Sequence, residues 1–334
     1  MRSRKQREAV WDIVKDRYGD HIMQLCPDLE ELQCCTLDWP KSDKEWRDQL
    51  VAFECGGIWS AGGWVFKKFK PMWGPLEKDL DPDLFDFPDP EDPFYLNKAE
   101  KVIEKNRDKY LVGYVWFTLF ERMHLMAGFE QILLAPVKQR DAFLRLRDKV
   151  MEFNRKGIKR WLDLGIDAVF ISDDWGTQDQ LLIQPEQWRE YYKPCYKEMF
   201  DQIHKGGADT WLHTCGRVIP IVEDLIEIGL DVLHPIQAHA NDPKELGDKF
   251  GGRICFCGGI DAQDTLVYGS PKDVEDHMFQ LFDHLCKRFN GGWIPGPMTT
   301  IIEDVPVENV KAIYNGLDKL NTNLPWKTSK SLAT

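Results

Sequence analysis

One pattern occurs twice in this sequence, as Leu164-Gly-Ile-Asp-Ala-Val169 and again as Ile228-Gly-Leu-Asp-Val-Leu233. In both copies a glycine follows a helical stretch, and a short apolar run comes directly after it. Glycine readily adopts the left-handed conformation that ends many helices, so each copy predicts a helix-to-strand turn. Paired glycines at 206–207, 251–252 and 291–292 precede further apolar runs and predict three more turns of this kind.

Short runs with strand character alternate with longer amphipathic segments from residue 110 onward. Repeated units of helix, glycine and strand require parallel crossovers, which leave a doubly wound sheet or a (β/α)8 barrel. No G-x-G-x-x-G or Walker A motif opens a helix, so we predict an α/β fold of the (β/α)8 TIM barrel type. The candidate strands are 111–117, 167–172, 209–213, 231–234, 253–257 and 293–295.

The first part of the chain has a different composition. Residues 1–105 are predicted to form a helical and aromatic-rich extension that serves as a cap or rim, and 106–325 to form the barrel core, in one compact domain. The run 81–93 contains four prolines and predicts a surface loop. Trp59 and Trp64 lie between glycines and are expected to present their rings to a substrate, with burial in a core as the alternative.

Composition excludes several classes of protein. The chain has 334 residues, a net charge of −12 and 13 tryptophans, which is enough apolar material for a large core. An acidic chain lacks the basic face that nucleic acids require, and no window is apolar enough to span a membrane. Nine irregularly spaced cysteines do not resemble a secreted disulfide framework, so we expect a cytoplasmic protein with reduced thiols.

The sharpest chemical signal is Trp211-Leu-His-Thr-Cys-Gly216, at the end of a candidate strand. Residues two apart in a strand point the same way, so His213 and Cys215 can present an imidazole and a thiolate to one metal ion. Cys257 ends a later strand and is a candidate third ligand, which would leave one coordination position of zinc open. A buried histidine and apolar cysteines are the alternative interpretation.

Further polar residues stand where other strands end. Asp173 and Asp174 follow one candidate strand, and a carboxylate there is costly to bury unless it binds a cation, a proton or a donor. His234 and Gln237 follow the next repeat and are either substrate contacts or ordinary hydrogen-bonded loop residues. In a barrel these positions border the catalytic face.

Four motifs resemble the uroporphyrinogen decarboxylase superfamily, over residues 110–320. They are His213-Thr-Cys-Gly216, Leu225-Ile-Glu-Ile-Gly-Leu-Asp231, Phe256-Cys-Gly-Gly-Ile-Asp261 and Val305-Pro-Val-Glu-Asn309. The chain is most similar to the corrinoid-dependent methyltransferase branch. That resemblance implies a (β/α)8 barrel with a catalytic zinc held by an H-x-C pair and a further cysteine.

Two departures from the superfamily patterns shape the functional hypothesis. Porphyrin decarboxylases carry an arginine-rich R-Q-A-G-R type segment, whereas this chain reads Gly62-Gly-Trp-Val-Phe-Lys-Lys68, which disfavours a polycarboxylate substrate. Thiol methyltransferases of the superfamily take a zinc cysteine from an S-P-G-C type motif, but Ile294-Pro-Gly-Pro297 stands here. The third ligand therefore stays open among Cys257, Asp173, Asp174, His234 and Gln237.

The resemblance implies a zinc-dependent methyltransferase that moves the methyl group of a methoxylated aromatic compound to a Co(I) corrinoid. The segment Arg122-Met-His-Leu-Met-Ala-Gly128 lacks the D-x-H-x-x-G signature for cobalamin, so the corrinoid is expected on a partner protein. Alternatives are methyl transfer from a corrinoid to a thiol such as coenzyme M, uroporphyrinogen decarboxylation, and non-catalytic binding of a corrinoid protein. The sequence leaves homodimer formation open.

Each candidate residue has a role in this hypothesis. Zinc on His213 and Cys215 acts as a Lewis acid at the ether oxygen, or Asp173 or Asp174 protonates that oxygen. His234 is assigned to the catalytic group. The residues expected to contact the substrate are Trp116, Trp175, Gln237, Trp59 and Trp64.

Overall fold

The structure is a computed structural model. It describes residues 59–60, 63–64, 66–67, 70–71, 76, 79–85, 87, 90, 97–107, 110–299, 301 and 304–322. These residues divide into two compact units. We call them the amino-terminal unit, within 59–174 and 186–212, and the carboxy-terminal unit, within 175–185 and 213–322. The predicted boundary near residue 105 stays a prediction.

The strands of the described residues comprise four very short ones and six that belong to one parallel sheet. The short ones form two antiparallel pairs, in which Trp59 stands opposite Trp64 and Phe66 opposite Pro71. The ten strands are β1 Trp59–Ser60, β2 Gly63–Trp64, β3 Phe66–Lys67, β4 Lys70–Pro71, β5 Val112–Val115, β6 Ala168–Ser172, β7 Asp209–His213, β8 Val232–Ile236, β9 Cys255–Gly258 and β10 Trp293–Ile294.

Helices alternate with the parallel strands. The described helices are α1 Asn97–Lys105, α2 Phe120–Ala127, α3 Phe129–Lys138, α4 Arg140–Asp163, α5 Pro185–Tyr191, α6 Lys193–Lys205, α7 Ile219–Glu227, α8 Pro243–Phe250, α9 Thr265–Tyr268, α10 Pro271–Leu285 and α11 Val307–Thr322. Two 3-10 turns, Pro82–Leu84 and Lys287–Phe289, complete the regular elements.

The sheet follows chain order, from β5 to β10. All six predicted strands are present within about two residues of their predicted bounds. Strands β5 and β6 pair in parallel with Tyr114 opposite Phe170, and β10 and β9 pair in parallel with Ile294 opposite Cys257. The prediction of an α/β fold made of parallel strand and helix units is confirmed, and the described residues contain six of the eight strands that the barrel prediction requires.

The predicted glycine turns explain how each helix reverses into a strand. Gly165 has φ +66° and Gly229 has φ +99°, so both adopt the left-handed region that side chains with a Cβ avoid. A glycine of each predicted pair likewise has positive φ, at Gly207, Gly252 and Gly291. The sequence pattern therefore identified all five turns correctly.

Helix α4 supplies a buried apolar face of the amino-terminal unit. Its residues Phe143, Leu146, Val150 and Trp161 are buried and recur at helical spacing, which places them on one face. In the carboxy-terminal unit, α10 begins at a capping box in which the Ser270 hydroxyl accepts from the Asp273 backbone. The described helices include none long and apolar enough to cross a membrane.

Candidate functional site

The H-x-C pair lies at the carboxyl end of β7 and the loop that follows it. His213 and Cys215 are both half-buried, and the Cys215 Sγ lies 3.5 Å from the His213 Nε2. A tetrahedral zinc with ordinary Zn–N and Zn–S bonds separates its nitrogen and sulfur ligands by about 3.5 Å. The two donor atoms therefore fit one metal ion without rearrangement. Without metal, the same distance suits a hydrogen bond between the thiol and the imidazole.

The second nitrogen of the His213 ring contacts another histidine. The Nδ1 atoms of His213 and His234 are 3.0 Å apart, so one ring donates to the other. Burial, followed by the nearby His213, lowers the pKa of His234 to about 3, so His234 is neutral at physiological pH. If Nε2 of His213 binds a metal, its Nδ1 carries the proton and donates to His234, which fixes the tautomer of both rings.

Two glycines interlock where the loop after Cys215 meets the segment that begins at Trp175. Gly216 has φ +78°, and a Cβ on it would overlap the backbone of Gly176. The Gly176 N–H donates to the Cys215 carbonyl at 3.1 Å, and the Trp175 N–H donates to the Thr214 hydroxyl at 3.1 Å. Close backbone approach at these two glycines thus fixes the segment that carries Cys215.

Two buried amide side chains from the loop after β8 hold the same segment. The Gly216 N–H donates to Gln237 Oε1 at 2.9 Å, and the Gly216 carbonyl accepts from Asn241 Nδ2 at 2.7 Å. Gln237 also donates to Gln263 Oε1 at 3.3 Å. Gln237 therefore takes the hydrogen-bonded loop position, which is one of the two alternatives that the sequence left open for it, and its contact with a substrate stays a prediction.

In the amino-terminal unit, Asp173 follows β6, is fully buried and contacts the first backbone N–H groups of α2. It accepts hydrogen bonds from the Leu119 N–H, the Glu121 N–H and the Tyr196 hydroxyl, at 3.0, 2.7 and 2.6 Å. Burial raises the pKa of Asp173 to about 7, although these donors act in the opposite direction. Three donors and no exposed surface give Asp173 a structural position at the helix start.

Glu121 is a second buried acid beside Asp173. Burial, and then repulsion from Asp174 and Asp173, raise the pKa of Glu121 well above its usual range, although the Ser172 hydroxyl donates to it at 2.9 Å. Adjacent carboxyl groups cannot both ionise cheaply in a buried environment. Both causes favour the protonated form of Glu121 over the ionised one.

The amino-terminal unit also holds a group of packed rings, which we call the aromatic wall: Tyr114, Trp116, Phe170 and Trp211. Tyr114 stacks on Trp116 with ring centroids 5.6 Å apart and an interplanar angle of 18°. Phe170 is 4.7 Å from Tyr114 and 6.2 Å from Trp211. Tyr114, Trp116 and Trp211 are half-buried, so part of the wall is open to a ligand. Trp116, a predicted substrate contact, belongs to this wall.

The remaining predicted residues take varied positions. Trp175 has no exposed surface, so its ring offers no face to a ligand in this structure. Cys257 is half-buried on β9, and burial, followed by Cys255, raises the pKa of its thiol to about 12. Among the described residues, its sulfur does not form a close three-donor group with those of His213 and Cys215. Asp174 is half-buried, and the side chains of Trp59 and Trp64 lie outside the described residues.

Sequence reasoning missed Asn241, Glu121 and Tyr196. Asn241 precedes Asp242-Pro243, a helix-start sequence in which Asp242 caps α8, so the local pattern draws attention to the wrong residue. Glu121 lies in the first turn of a helix, where an acid is ordinary. Only the packing of distant segments reveals these residues.

Residues 104–320 match the uroporphyrinogen decarboxylase (URO-D) family. The chain belongs to the URO-D family. The resemblance inferred from the motifs is confirmed, and it covers nearly the same residues as the family match. All four motifs that suggested the URO-D family, including His213-Thr-Cys-Gly216, lie within the matched range.

Two known proteins are similar to this chain. Methylcobamide:CoM methyltransferase MtaA of Methanosarcina barkeri is 23% identical over 183 residues, which are 55% of this chain and 50% of MtaA. The chain thus matches about half the length of that curated relative. A solved structure of a methyltransferase from Methanosarcina mazei aligns with a TM-score of 0.60 and 19% identity, over 88% of this chain and 91% of that one. At such identity the likeness shows a shared fold.

Proposed function

We propose that this chain is a zinc-dependent methyltransferase that moves the methyl group of a methoxylated aromatic compound to the Co(I) corrinoid of a partner protein. The observation that carries the proposal is the 3.5 Å separation of Cys215 Sγ and His213 Nε2, which suits two ligands of one zinc ion. The MtaA relative, whose name includes a methylcobamide, supports corrinoid chemistry.

The donor set and its surroundings suit zinc. A thiolate and an imidazole are ligands that zinc prefers, and the half-buried, neutral His234 is the kind of hydrogen-bond acceptor that orients a zinc-bound imidazole. When bound, zinc supplies a Lewis acid that stabilises the charge developing on the ether oxygen as the methyl group leaves. Further ligands remain open among Cys257 and the other residues that the sequence offers.

The aromatic wall supports an aromatic substrate. Trp211 and His213 are two residues apart in β7, so both side chains project from the same side of that strand. Tyr114 and Trp116 expose part of their stacked rings, and stacked or edge contacts with a substrate ring contribute about 0.5–1.5 kcal/mol beyond burial of area. We propose that the wall orients the substrate ring.

A proton is needed because a phenolate is a poor leaving group. Asp173 is saturated by three donors and buried, so the acid role of the predicted pair passes to Asp174, which is half-buried. We propose that Asp174 donates this proton to the leaving oxygen.

Decarboxylation of a polycarboxylate porphyrinogen is disfavoured. The partly exposed positions of the six parallel strands carry no arginine or lysine in the described part of the chain; they are Val112, Tyr114, Asp209, Trp211, His213, His234, Cys255, Cys257 and Ile294. Carboxylate groups are held in proteins mainly by such basic side chains. An aromatic ether places no such demand on the site.

A second candidate is the transfer of a methyl group from a corrinoid to a thiol. It is favoured by the name of the MtaA relative, a methylcobamide:CoM methyltransferase. In that reaction, a zinc ion held by His213 and Cys215 would bind the acceptor thiol as a thiolate. The aromatic wall has no evident role in that chemistry, which is why we rank it second.

One experiment separates the two. Purified zinc-loaded protein is mixed with hydroxocobalamin that titanium(III) citrate has reduced to Co(I), together with 1,2-dimethoxybenzene. We expect loss of the Co(I) absorption and formation of 2-methoxyphenol, both abolished by His213→Ala. In the reverse arm, methylcobalamin is mixed with 2-mercaptoethanesulfonate. Turnover in the reverse arm alone would establish the thiol reaction, and turnover in neither arm, also with a panel of methoxybenzenes, would refute both proposals.

A further inference from the structure

We call the two proposed zinc ligands, His213 and Cys215, the metal pair. We propose that Gln237 and Asn241 are positioning residues for this pair, because they fix the backbone of Gly216 and thereby the direction of the Cys215 thiol. The inference rests on the metal site of the proposed function. It assigns these two amides a role in metal affinity and gives Gln237 a different role from the substrate contact that the sequence suggested.

The two amide side chains form hydrogen bonds with both polar backbone groups of Gly216. Gly216 is buried, its N–H donates to Gln237 Oε1 at 2.9 Å, and its carbonyl accepts from Asn241 Nδ2 at 2.7 Å. No regular helix or strand contains Gly216, so these side chains replace the ladder bonds that a backbone would otherwise make. Loss of either partner leaves a buried polar group to find a new one, and the backbone must move to do so.

Both amides are themselves immobilised. Asn241 is 2% exposed, and its Oδ1 accepts from the Val218 and Ile219 N–H groups at 2.9 and 3.3 Å, at the start of α7. Gln237 is 9% exposed and donates to Gln263. A side chain whose every polar atom is bonded has one orientation. Gln237 and Asn241, which we call the clamp, therefore hold Gly216 in place and with it the residue before it, Cys215.

The link to the metal pair is short. Cys215 directly precedes Gly216, and its own carbonyl already accepts from the Gly176 N–H. Because Gly216 has φ +78°, a small rotation of its peptide units changes where the chain leaves Cys215. A thiol displaced by a few tenths of an ångström no longer matches the separation from His213 Nε2 that a tetrahedral ion requires.

The two hydrogen bonds to Gly216 can be tested separately. Asn241→Asp keeps an oxygen for the Val218 and Ile219 N–H groups but places a second oxygen against the Gly216 carbonyl, where a donor stood. Gln237→Glu keeps the acceptor for the Gly216 N–H, loses the donor to Gln263 and adds an ionisable carboxyl group, whereas Gln237→Leu loses both hydrogen bonds. The pair of glutamine variants therefore isolates the bond to Gly216.

Asn309 provides a matched control. It is 1% exposed, lies in the same carboxy-terminal unit, and its Nδ2 donates to the carbonyls of Leu266 and Gly269 at 3.0 and 2.8 Å. Asn309→Asp therefore breaks the same kind of buried amide-to-carbonyl bond away from the H-x-C segment. It is expected to lower thermal stability and to leave metal affinity unchanged.

The experiment measures Zn²⁺ affinity by competition with a chromophoric chelator, and the absorption spectrum of the Co²⁺-substituted full chain. We expect about tenfold weaker Zn²⁺ binding and an altered Co²⁺–thiolate spectrum for Asn241→Asp and Gln237→Leu, in the range typical of outer-shell partners of metal ligands. Gln237→Glu and Asn309→Asp should match the wild type in both measurements.

Two results would overturn the inference in distinguishable ways. If the wild type binds Zn²⁺ and Gln237→Leu and Asn241→Asp bind it equally well with the same Co²⁺ spectrum, the positioning role is wrong and the proposed function stands. If the wild type binds neither ion, the metal site of the proposed function fails as well. Should Asn241→Asp not fold, Gln237→Leu compared with Gln237→Glu decides the question.

Discussion

The aromatic wall and the segment around Cys215 achieve order by different physical means. Tyr114, Trp116, Phe170 and Trp211 contact one another through ring faces and edges, with centroids 4.7–6.2 Å apart. The Cys215 segment is held instead by directional hydrogen bonds and by the interlocked Gly176 and Gly216. Ring packing tolerates changes of shape, whereas a clamp built from single donors and acceptors does not. The first arrangement suits an adaptable recognition surface and the second a fixed metal site.

The largest expected effect is the loss of zinc affinity when Cys215 is replaced. Cys215→Ala removes a proposed metal ligand, and we expect Zn²⁺ affinity to fall more than about 100-fold, beyond the loss typical of outer-shell changes. Cys255→Ala is the matched control, since Cys255 is also half-buried in the carboxy-terminal unit. Metal content after dialysis measures both. If the two variants retain equal amounts of zinc, Cys215 is not a zinc ligand.

A backbone change tests how rigid the clamp is. Gly216→Ala adds a Cβ at φ +78° that also overlaps Gly176, whereas Gly207→Ala adds one at φ +81° with open space around it. Strain alone costs about 1 kcal/mol or slightly more, so Gly207→Ala should be mild and Gly216→Ala should also lower Zn²⁺ affinity by more than about tenfold. Thermal melting and metal titration measure the two effects. Indistinguishable variants would mean that the glycine contact is not rigid.

Substitutions of Trp116 test the role of the aromatic wall in substrate recognition. Trp116→Ala removes a stacked, half-buried ring, and we expect KM for a methoxybenzene to rise up to about tenfold with a smaller change in kcat. Trp116→Phe keeps a ring and should retain most of the affinity, because packing surfaces tolerate such exchanges. Steady-state kinetics with the cobalt assay measure this. A fall in kcat alone would assign Trp116 to the reaction step instead of recognition.

The smallest effect concerns the buried acid beside the wall. Because the pKa of Glu121 is raised, the folded state binds a proton that the unfolded state releases above about pH 4.3, so the stability of the wild type falls as pH rises. Glu121→Gln cannot titrate, so its stability relative to the wild type should increase as the pH rises from 5 to 8. Urea unfolding at both pH values measures the difference.

Glu152→Gln is the control for that measurement. The hydrogen bond from Lys149 lowers the pKa of Glu152, so any stability it contributes is present above its ordinary pKa and lost only in acid. This variant should show no gain between pH 5 and 8. A constant difference between Glu121→Gln and the wild type across this range would show that Glu121 is ionised in the folded protein.

Local sequence patterns predicted the strands and turns because they depend on neighbouring residues. The glycine of Leu164-Gly-Ile and that of Ile228-Gly-Leu adopt the left-handed conformation that their positions predicted. His213 and Cys215 were found for the same reason, since alternation along one strand sets their common direction. Two of the four URO-D motifs, at 213–216 and 225–231, overlap these same local stretches.

The roles of several polar residues could not be predicted in this way. Asp173, Gln237 and Trp175 looked like site residues because each stands at a strand end, but their burial and bonds are set by Tyr196, Gly216 and other distant segments. Asn241 carried no local signal at all. A hydrogen-bond partner 20 or more residues away along the chain leaves no periodic trace in sequence.

By itself, the sequence determined the α/β class, the order of strands and helices, the five glycine turns and the H-x-C pair. Each of these follows from backbone conformation or side-chain alternation over a few consecutive residues. The tertiary structure alone decided which acids are buried, which rings stack, and which amides hold Gly216. Those outcomes depend on desolvation and on donors and acceptors that meet only when segments far apart in the chain pack together.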